Sequence, residues 1–360
     1  MDDGKLKMRQ LMEYMIEQNA TDLHITANEH PYLRVNGSVV RSELPVVTAE
    51  ECEKLFFSLL TEEEDKILKE EKTVDLAYGE DELGRVRINL YMQRGALAAA
   101  VRKLARTIPS FEELGLPVDP IKILCARTKG LILVTGPVGM GKSTTLASMV
   151  DYINQTRKTH IISIEDPVEY VHKNIRSLIH QREVGRDTPN FKDALKYILR
   201  EDPDVVLIGE MRDLETISSA VTIAETGHLV LATLHTMDAS ESIRRIVDVF
   251  PAEQQQQILT QLSCTLSGVI NQLLLPDKNG KGRVLAVEVM LTNSAIQNLI
   301  RENKVEHIYS HIQMGTKQGM LTMNQSLSEL SAHGRLDPDV AMAVSTRQKE
   351  LARLLGRGGA

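Results

Sequence analysis

The chain has 360 residues, 42% of them hydrophobic, and a net charge of −7: room for two or three domains, and the composition of an ordinary soluble protein. The acidic balance argues against broad nucleic-acid binding, and zero Trp with 4% aromatics argues against a platform for stacked bases. No run of 18 apolar residues exists to span a membrane, the N-terminus lacks the form of a signal peptide, and scattered Cys52, Cys125 and Cys264 predict unpaired thiols in a reducing cytosol rather than a four-cysteine zinc site.

Leu6, Met8, Leu11, Met12, Met15 and Ile16 recur at helical spacing and predict an amphipathic helix. Asp22-Leu23-His24-Ile25 alternates as a strand does. Tyr32-Leu33-Arg34-Val35 and Ser38-Val39-Val40 flank Asn36-Gly37, a strong hairpin signal. Residues 48–71, rich in Glu, Lys and Leu, predict one or two helices. Asp75-Leu76-Ala77-Tyr78 and residues 85–91 alternate again, and the alanine-rich run 96–102 fits a further strand or a helix. Residues 1–105 therefore predict a small α+β domain with an antiparallel sheet. Turn residues at 107–110 and 115–118 predict a linker over 106–118.

Beyond it, apolar runs at 131–134, 161–164, 205–208 and 229–234 alternate with helical segments, the order of a parallel α/β core. This second domain is expected over 119–360, mostly helical over about 251–355, with a disordered tail from Gly356.

The run at 131–134 leads into Gly136-Pro137-Val138-Gly139-Met140-Gly141-Lys142-Ser143-Thr144, which fits the phosphate-loop pattern G-x-x-x-x-G-K-[ST]. Glycines let the backbone turn so that successive N–H groups face phosphate oxygens. Lys142 supplies a point charge for the β- and γ-phosphates of ATP, and Ser143 a hydroxyl for Mg²⁺. A helix beginning at this loop favours the anion through its N-terminus.

Later strands end in groups such a site needs. Glu165, Asp166 and Glu169 form a cluster of three acids, and carboxylates near Mg²⁺ polarise water or act as a base. Glu210 follows the run 205–208 and can hold the Mg²⁺ shell or the water. Gly209 stands where an Asp is usual, so metal binding leans more on Ser143 and on water. His228 and His235 bracket the run 229–234; seven residues apart on a strand, they point to opposite faces, so one can face the phosphates and the other a subunit contact.

In combination, the phosphate loop, Ile-Glu-Asp-Pro-Val-Glu at 164–169, Leu-Ile-Gly-Glu-Met-Arg-Asp at 207–213 and Thr-Gly-His-Leu-Val-Leu-Ala-Thr-Leu-His-Thr at 226–236 resemble the Walker A, Asp box, Walker B and His box of the type II/IV secretion ATPases. The resemblance covers essentially the whole chain. Residues 22–25 and 34–37 resemble that family's PAS-like N-terminal domain, so the fold implied is a PAS-like domain followed by a RecA-like ATPase domain. The resemblance further implies a homohexamer, ATP hydrolysis with Mg²⁺, and Arg87 and Arg102 as paired arginines that swing onto the γ-phosphate. It implies His235 as the γ-phosphate sensor, Glu165 or Glu210 as the group that activates water, and His228 among the nucleotide contacts.

Residues 181–185, 224–228, 251–255 and 295–304 resemble more narrowly the pilus-retraction members of the family, with Gln297 and Asn303 replacing an Arg and a Gly of their signature. Extension-type members carry a four-cysteine zinc insert that this chain lacks. The function implied is a cytoplasmic motor, peripheral at the inner face of the inner membrane, that drives pilus retraction. Its implied partners are a membrane platform protein and a paralogous motor, with no nucleic acid. The rival readings are an extension or secretion motor, a nucleic-acid translocase ring and a non-catalytic ring subunit.

Overall fold

The computed structural model describes residues 3–35, 38–80, 83–104, 107–280 and 282–357. The chain divides into two units, Met1–Thr107 and Ile108–Ala360.

In the first unit, α1 (Asp3–Glu17) turns Met8, Leu11, Met12 and Met15 inward, with Ile16 half-buried. The Leu6 side chain lies outside the described residues. So does the Asn36-Gly37 turn, although the strands on either side of it pair as a hairpin. The acidic stretch that follows forms two helices, α2 (Ala49–Phe57) and α3 (Glu62–Glu71), because it carries two start signals. Thr48 with Glu51, and Thr61 with Glu64, each close a capping box that satisfies helix N–H groups reciprocally.

Strands β1 (Asp22–Thr26), β2 (Tyr32–Val35), β3 (Ser38–Arg41), β4 (Thr73–Glu80), β5 (Gly84–Gln93) and β6 (Ala96–Lys103) form one antiparallel sheet in the order β3-β2-β1-β6-β5-β4. The alanine run is a strand because it is central: β6 pairs on both edges, and tertiary pairing overrides a weak propensity. Alternation along β5 buries Val86, Ile88 and Leu90 in the core with Leu23, Ile25 and the helices, and turns Arg87 and Asn89 to the other face.

The second unit runs α4 (Phe111–Leu114), α5 (Val118–Cys125), β7 (Gly130–Thr135), α6 (Lys142–Thr156), β8 (His160–Glu165), β9 (Leu178–Glu183), α7 (Phe191–Ile198), β10 (Val205–Ile208), α8 (Leu214–Glu225), β11 (Leu229–Leu234), α9 (Ala239–Asp248), α10 (Ala252–Thr265), β12 (Leu266–Pro276), β13 (Arg283–Leu291), α11 (Ser294–Arg301), α12 (Ile308–Met314), α13 (Met323–Ala332), α14 (Pro338–Val344) and α15 (Gln348–Leu354). Its sheet has the order β13-β12-β7-β11-β10-β8-β9, parallel throughout except for β13. β7 and β11 are buried along their whole length, as strands covered on both faces must be. Leu131 and Leu133 enter the core on one face, Ile132 and Val134 the core on the other.

Two expectations differ from the structure. Within the segment expected as a bare linker, residues from Ile108 onward belong to the second unit: Phe111 and Leu116 are buried in its core, and Ser148 Oγ donates to Pro109 O at 2.7 Å. Turn residues marked its ends but not its docked apolar pair; Arg106 lies outside the described residues. The region from Pro251 is interrupted by the long pair β12 and β13, because a continuous apolar run has no period by which to separate strand from helix. The tail is described only to Arg357, which pairs with Asp339. Among the described residues no helix is long and apolar enough to cross a membrane, and all three cysteines are free.

Candidate active site

The C-terminal ends of parallel strands β7, β11, β10 and β8 lie side by side, where α/β sheets bind ligands. Residues 136–141 link β7 to α6, and Gly136, Gly139 and Gly141 take positive φ values of 136°, 78° and 82°. At Gly136 a Cβ would stand 2.4 Å from the Gln272 carbonyl oxygen, so the loop lies directly against β12. Lys142, buried at the head of α6, directs Nζ to Gly136 O (2.8 Å), Pro137 O (2.9 Å) and His235 Nδ1 (3.2 Å). Burial lowers its pKa, against the pull of Glu210 and Glu169.

Val138 is 81% exposed, whereas Met140 packs on the β12–β13 pair and its Sδ accepts from Leu274 N at 3.2 Å. Ser143 is half-buried. Thr144 Oγ1 accepts from Tyr170 OH (3.0 Å) and Thr145 Oγ1 from Gln272 Nε2 (2.8 Å). Asn271 Nδ2 ties Thr135 Oγ1 (2.9 Å) to Thr236 O (2.8 Å), joining the ends of β7 and β11.

From Lys142 a polar chain continues. His235 Nε2 lies 2.9 Å from Glu210 Oε1, and Arg212 Nη2 lies 2.8 Å from Glu210 Oε2. Burial pushes the Glu210 carboxyl up, but the Arg212 bond and the neighbouring His235 outweigh it and hold it below the usual range. The glycine before Glu210 has a packing reason: a Cβ on Gly209 would meet Ile164 O at 3.3 Å and Glu165 Cα at 3.4 Å.

Glu165 ends β8. Its Oε1 accepts from Ser163 Oγ (2.6 Å) and Gln181 Nε2 (3.1 Å), and burial raises its proton affinity in spite of both bonds. Asp166 is exposed and Glu169 half-buried.

The structure thus brings Lys142, His235 and Glu210 into direct contact. It does not bring His228 to the loop. Leu229 pairs with Gly130 at the start of β7, so the six residues of β11 separate His228 from the site, about 20 Å at strand rise. What divides the two histidines is the length of the strand rather than its faces. The His228 ring instead bonds Thr226 Oγ1 (3.1 Å) and Ile223 O (3.2 Å), so its expected nucleotide contact is corrected to a local turn contact.

Arg87 and Arg102 belong to the first unit and sit directly opposite each other on β5 and β6. Like charges so placed repel. Each has its own carboxylate: Arg87 Nη2 lies 3.2 Å from Asp75 Oδ2, and Arg102 Nε 2.7 Å from the largely buried Asp22 Oδ1.

Reading by sequence missed Ser163, Tyr170, Gln181, Arg212, Asn271 and Gln272. The first four stood inside or beside quoted motifs without a role. The last two gave a signal, an adjacent pair of amides inside an apolar run.

The residues fit a Mg²⁺–nucleotide. Among the described residues no group of three or more His, Cys, Asp or Glu could hold a metal. Mg²⁺ in nucleotide sites rests on a hydroxyl or a carboxylate, on phosphate oxygens and on water, a role that Ser143 at the first turn of α6 matches.

Residues 5–336 match the family model described as type II/IV secretion system protein. The chain is 44% identical over 336 residues to the type IV pilus retractation ATPase PilT of Pseudomonas aeruginosa, covering 93% of this chain and 97% of that one. It is 46% identical over 311 residues to a twitching motility protein of Neisseria gonorrhoeae, covering 86% and 83%. The crystal structure of the pilus retraction motor PilT with bound ADP is similar at a TM-score of 0.89 and 50% identity, covering 96% and 98%.

Proposed function

The chain belongs to the type II/IV secretion system protein family, and on that footing we propose that it is an ATPase motor that retracts type IV pili and so powers twitching motility. The observation that carries this reading is near full-length likeness to a retraction ATPase, joined to a complete phosphate loop.

The six-stranded antiparallel sheet with its helices supports a PAS-like first unit, and the parallel sheet with its phosphate loop supports a RecA-like second unit. The family likeness supports a homohexamer working in the cytoplasm against an inner-membrane platform protein.

In this reading the loop N–H groups and Lys142 bind the β- and γ-phosphates of ATP, with the positive end of α6 adding to the field. Ser143 would hold Mg²⁺, which when bound would supply charge neutralisation at the phosphates. Glu210 has both oxygens committed, to His235 and Arg212, and acts by orienting His235 against Lys142. Through that contact His235 senses the γ-phosphate. Glu165 Oε2 has no hydrogen-bond partner among the described residues and takes the proton of the attacking water. Arg87 and Arg102 stabilise charge in the transition state, with a planar fork that lysine lacks.

Two measurements test the reading. Purified Lys142→Ala, still folded, loses hydrolysis; turnover near wild type sinks the assignment of the loop. Deleting the gene leaves cells with excess pili and no movement, whereas cells without pili would make the protein an extension motor.

A further inference from the structure

We infer that Gln181, together with Ser163, is a positioning residue that turns the free oxygen of Glu165 toward the water it activates; this rests on the assignment of Glu165 as the base. Ser163 pairs with Gln181, and Glu165 with Glu183, across the parallel strands β8 and β9. Residues two apart share a face of a strand, so all four side chains rise on one side of the sheet. There Ser163 Oγ and Gln181 Nε2 converge on a single oxygen of Glu165 and leave the other unbonded among the described residues. A carboxylate pinned by one oxygen has its second oxygen fixed in direction, which is what a general base requires.

Gln181 is itself held at both ends. Its Nε2 also donates to Tyr170 O at 2.8 Å, and its Oε1 accepts from His172 N at 2.9 Å. Tyr170 in turn donates through its hydroxyl to Thr144 Oγ1 in the first turn of α6. One amide therefore connects the base to the segment that leans on the phosphate-binding helix. Among the described residues no charged group supplies the orientation. The charges facing Glu165 are those of Glu169 and Glu183, which oppose its ionisation, while Ser163 and Gln181 favour the charged form.

The test uses the full chain with Gln181→Glu. This variant keeps the size of the side chain and the acceptor for His172 N, removes the donors to Glu165 and Tyr170 O, and adds a negative charge beside Glu165. ATPase rates are measured across pH, with KM for ATP, gel filtration and melting temperature alongside. We expect kcat to fall about tenfold or more with KM within about twofold, the scale of a misplaced general base. We also expect the acid limb of kcat to move to higher pH, because the Glu165 oxygen loses a donor and gains a like charge beside it; Ser163→Ala, which adds no charge, isolates the effect of a lost donor. Ser163→Ala shifts the limb the same way and carries the test if Gln181→Glu fails to fold. In a Glu165→Gln background, Gln181→Glu should cost nothing further. An unmoved acid limb, or equal loss in both backgrounds, overturns the inference and leaves Gln181 a structural tie. Normal turnover in Glu165→Gln alone would instead remove Glu165 as the base, a distinct failure of the parent reading.

Discussion

Gly136 and Gly139 share one loop and one sign of φ, yet they differ in surroundings. A Cβ at Gly136 meets the Gln272 carbonyl at 2.4 Å, whereas at Gly139 nothing lies within 4 Å. A left-handed conformation alone costs an L-residue about 1–2 kcal/mol. Gly139→Ala should therefore lower stability by about that much, and Gly136→Ala by clearly more, because backbone rather than a flexible side chain must yield. Thermal melts of the two variants decide it; equal losses would mean that β12 gives way. The loop's place between β7 and α6 was legible in the sequence because its pattern is local. His228 was not, because which end of β11 faces the phosphates depends on the direction of neighbouring strands. Nor was Gln181, whose meaning comes from its register with Ser163 across a gap in the chain.

Element by element, β7, β8, β10 and β11 were readable as apolar runs spaced by helices, and β12 was not, since an equally apolar run followed a helix and had no period. Its partner β13 carries Glu288, fully buried, with Oε1 accepting from Ala239 N at 3.0 Å. Burial pushes this carboxyl up to about 7 from 4.5. The folded state then holds a proton that the unfolded state releases, so stability falls as pH rises from about 4.5 to about 7 and stays reduced above. Glu288→Gln keeps the acceptor and removes the charge. It should gain up to about 3 kcal/mol at pH 8 and little at pH 4, read as the difference between the two melting curves against pH. On α11, Ile296 and Ile300 enter the core, Leu299 only partly, and Ala295 is exposed. Ile300→Ala should cost about 2–5 kcal/mol by denaturant titration. Exposed Asn298→Ala and Arg301→Ala should stay within about 0.5 kcal/mol.

For the whole molecule, the two arginines and the phosphate loop belong to different compact units, Met1–Thr107 and Ile108–Ala360. Arg87→Ala or Arg102→Ala should lower kcat far more than ATP affinity, on the order of 10³-fold if each acts only in the transition state. Equilibrium binding of nucleotide beside steady-state rates checks this, and parallel losses would make them ground-state contacts. The contact between Gly136 and Gln272 has a mechanical meaning as well. Met140 grips Leu274 N and Thr145 grips the Gln272 amide, so three fastenings join the loop and the first turn of α6 to β12, and the tightest leaves no clearance for even one methyl group. A joint without clearance has no backlash. A displacement of the loop at Gly136 toward β12 would meet its backbone at once. Substitutions along β12 and β13 therefore belong beside those of the loop.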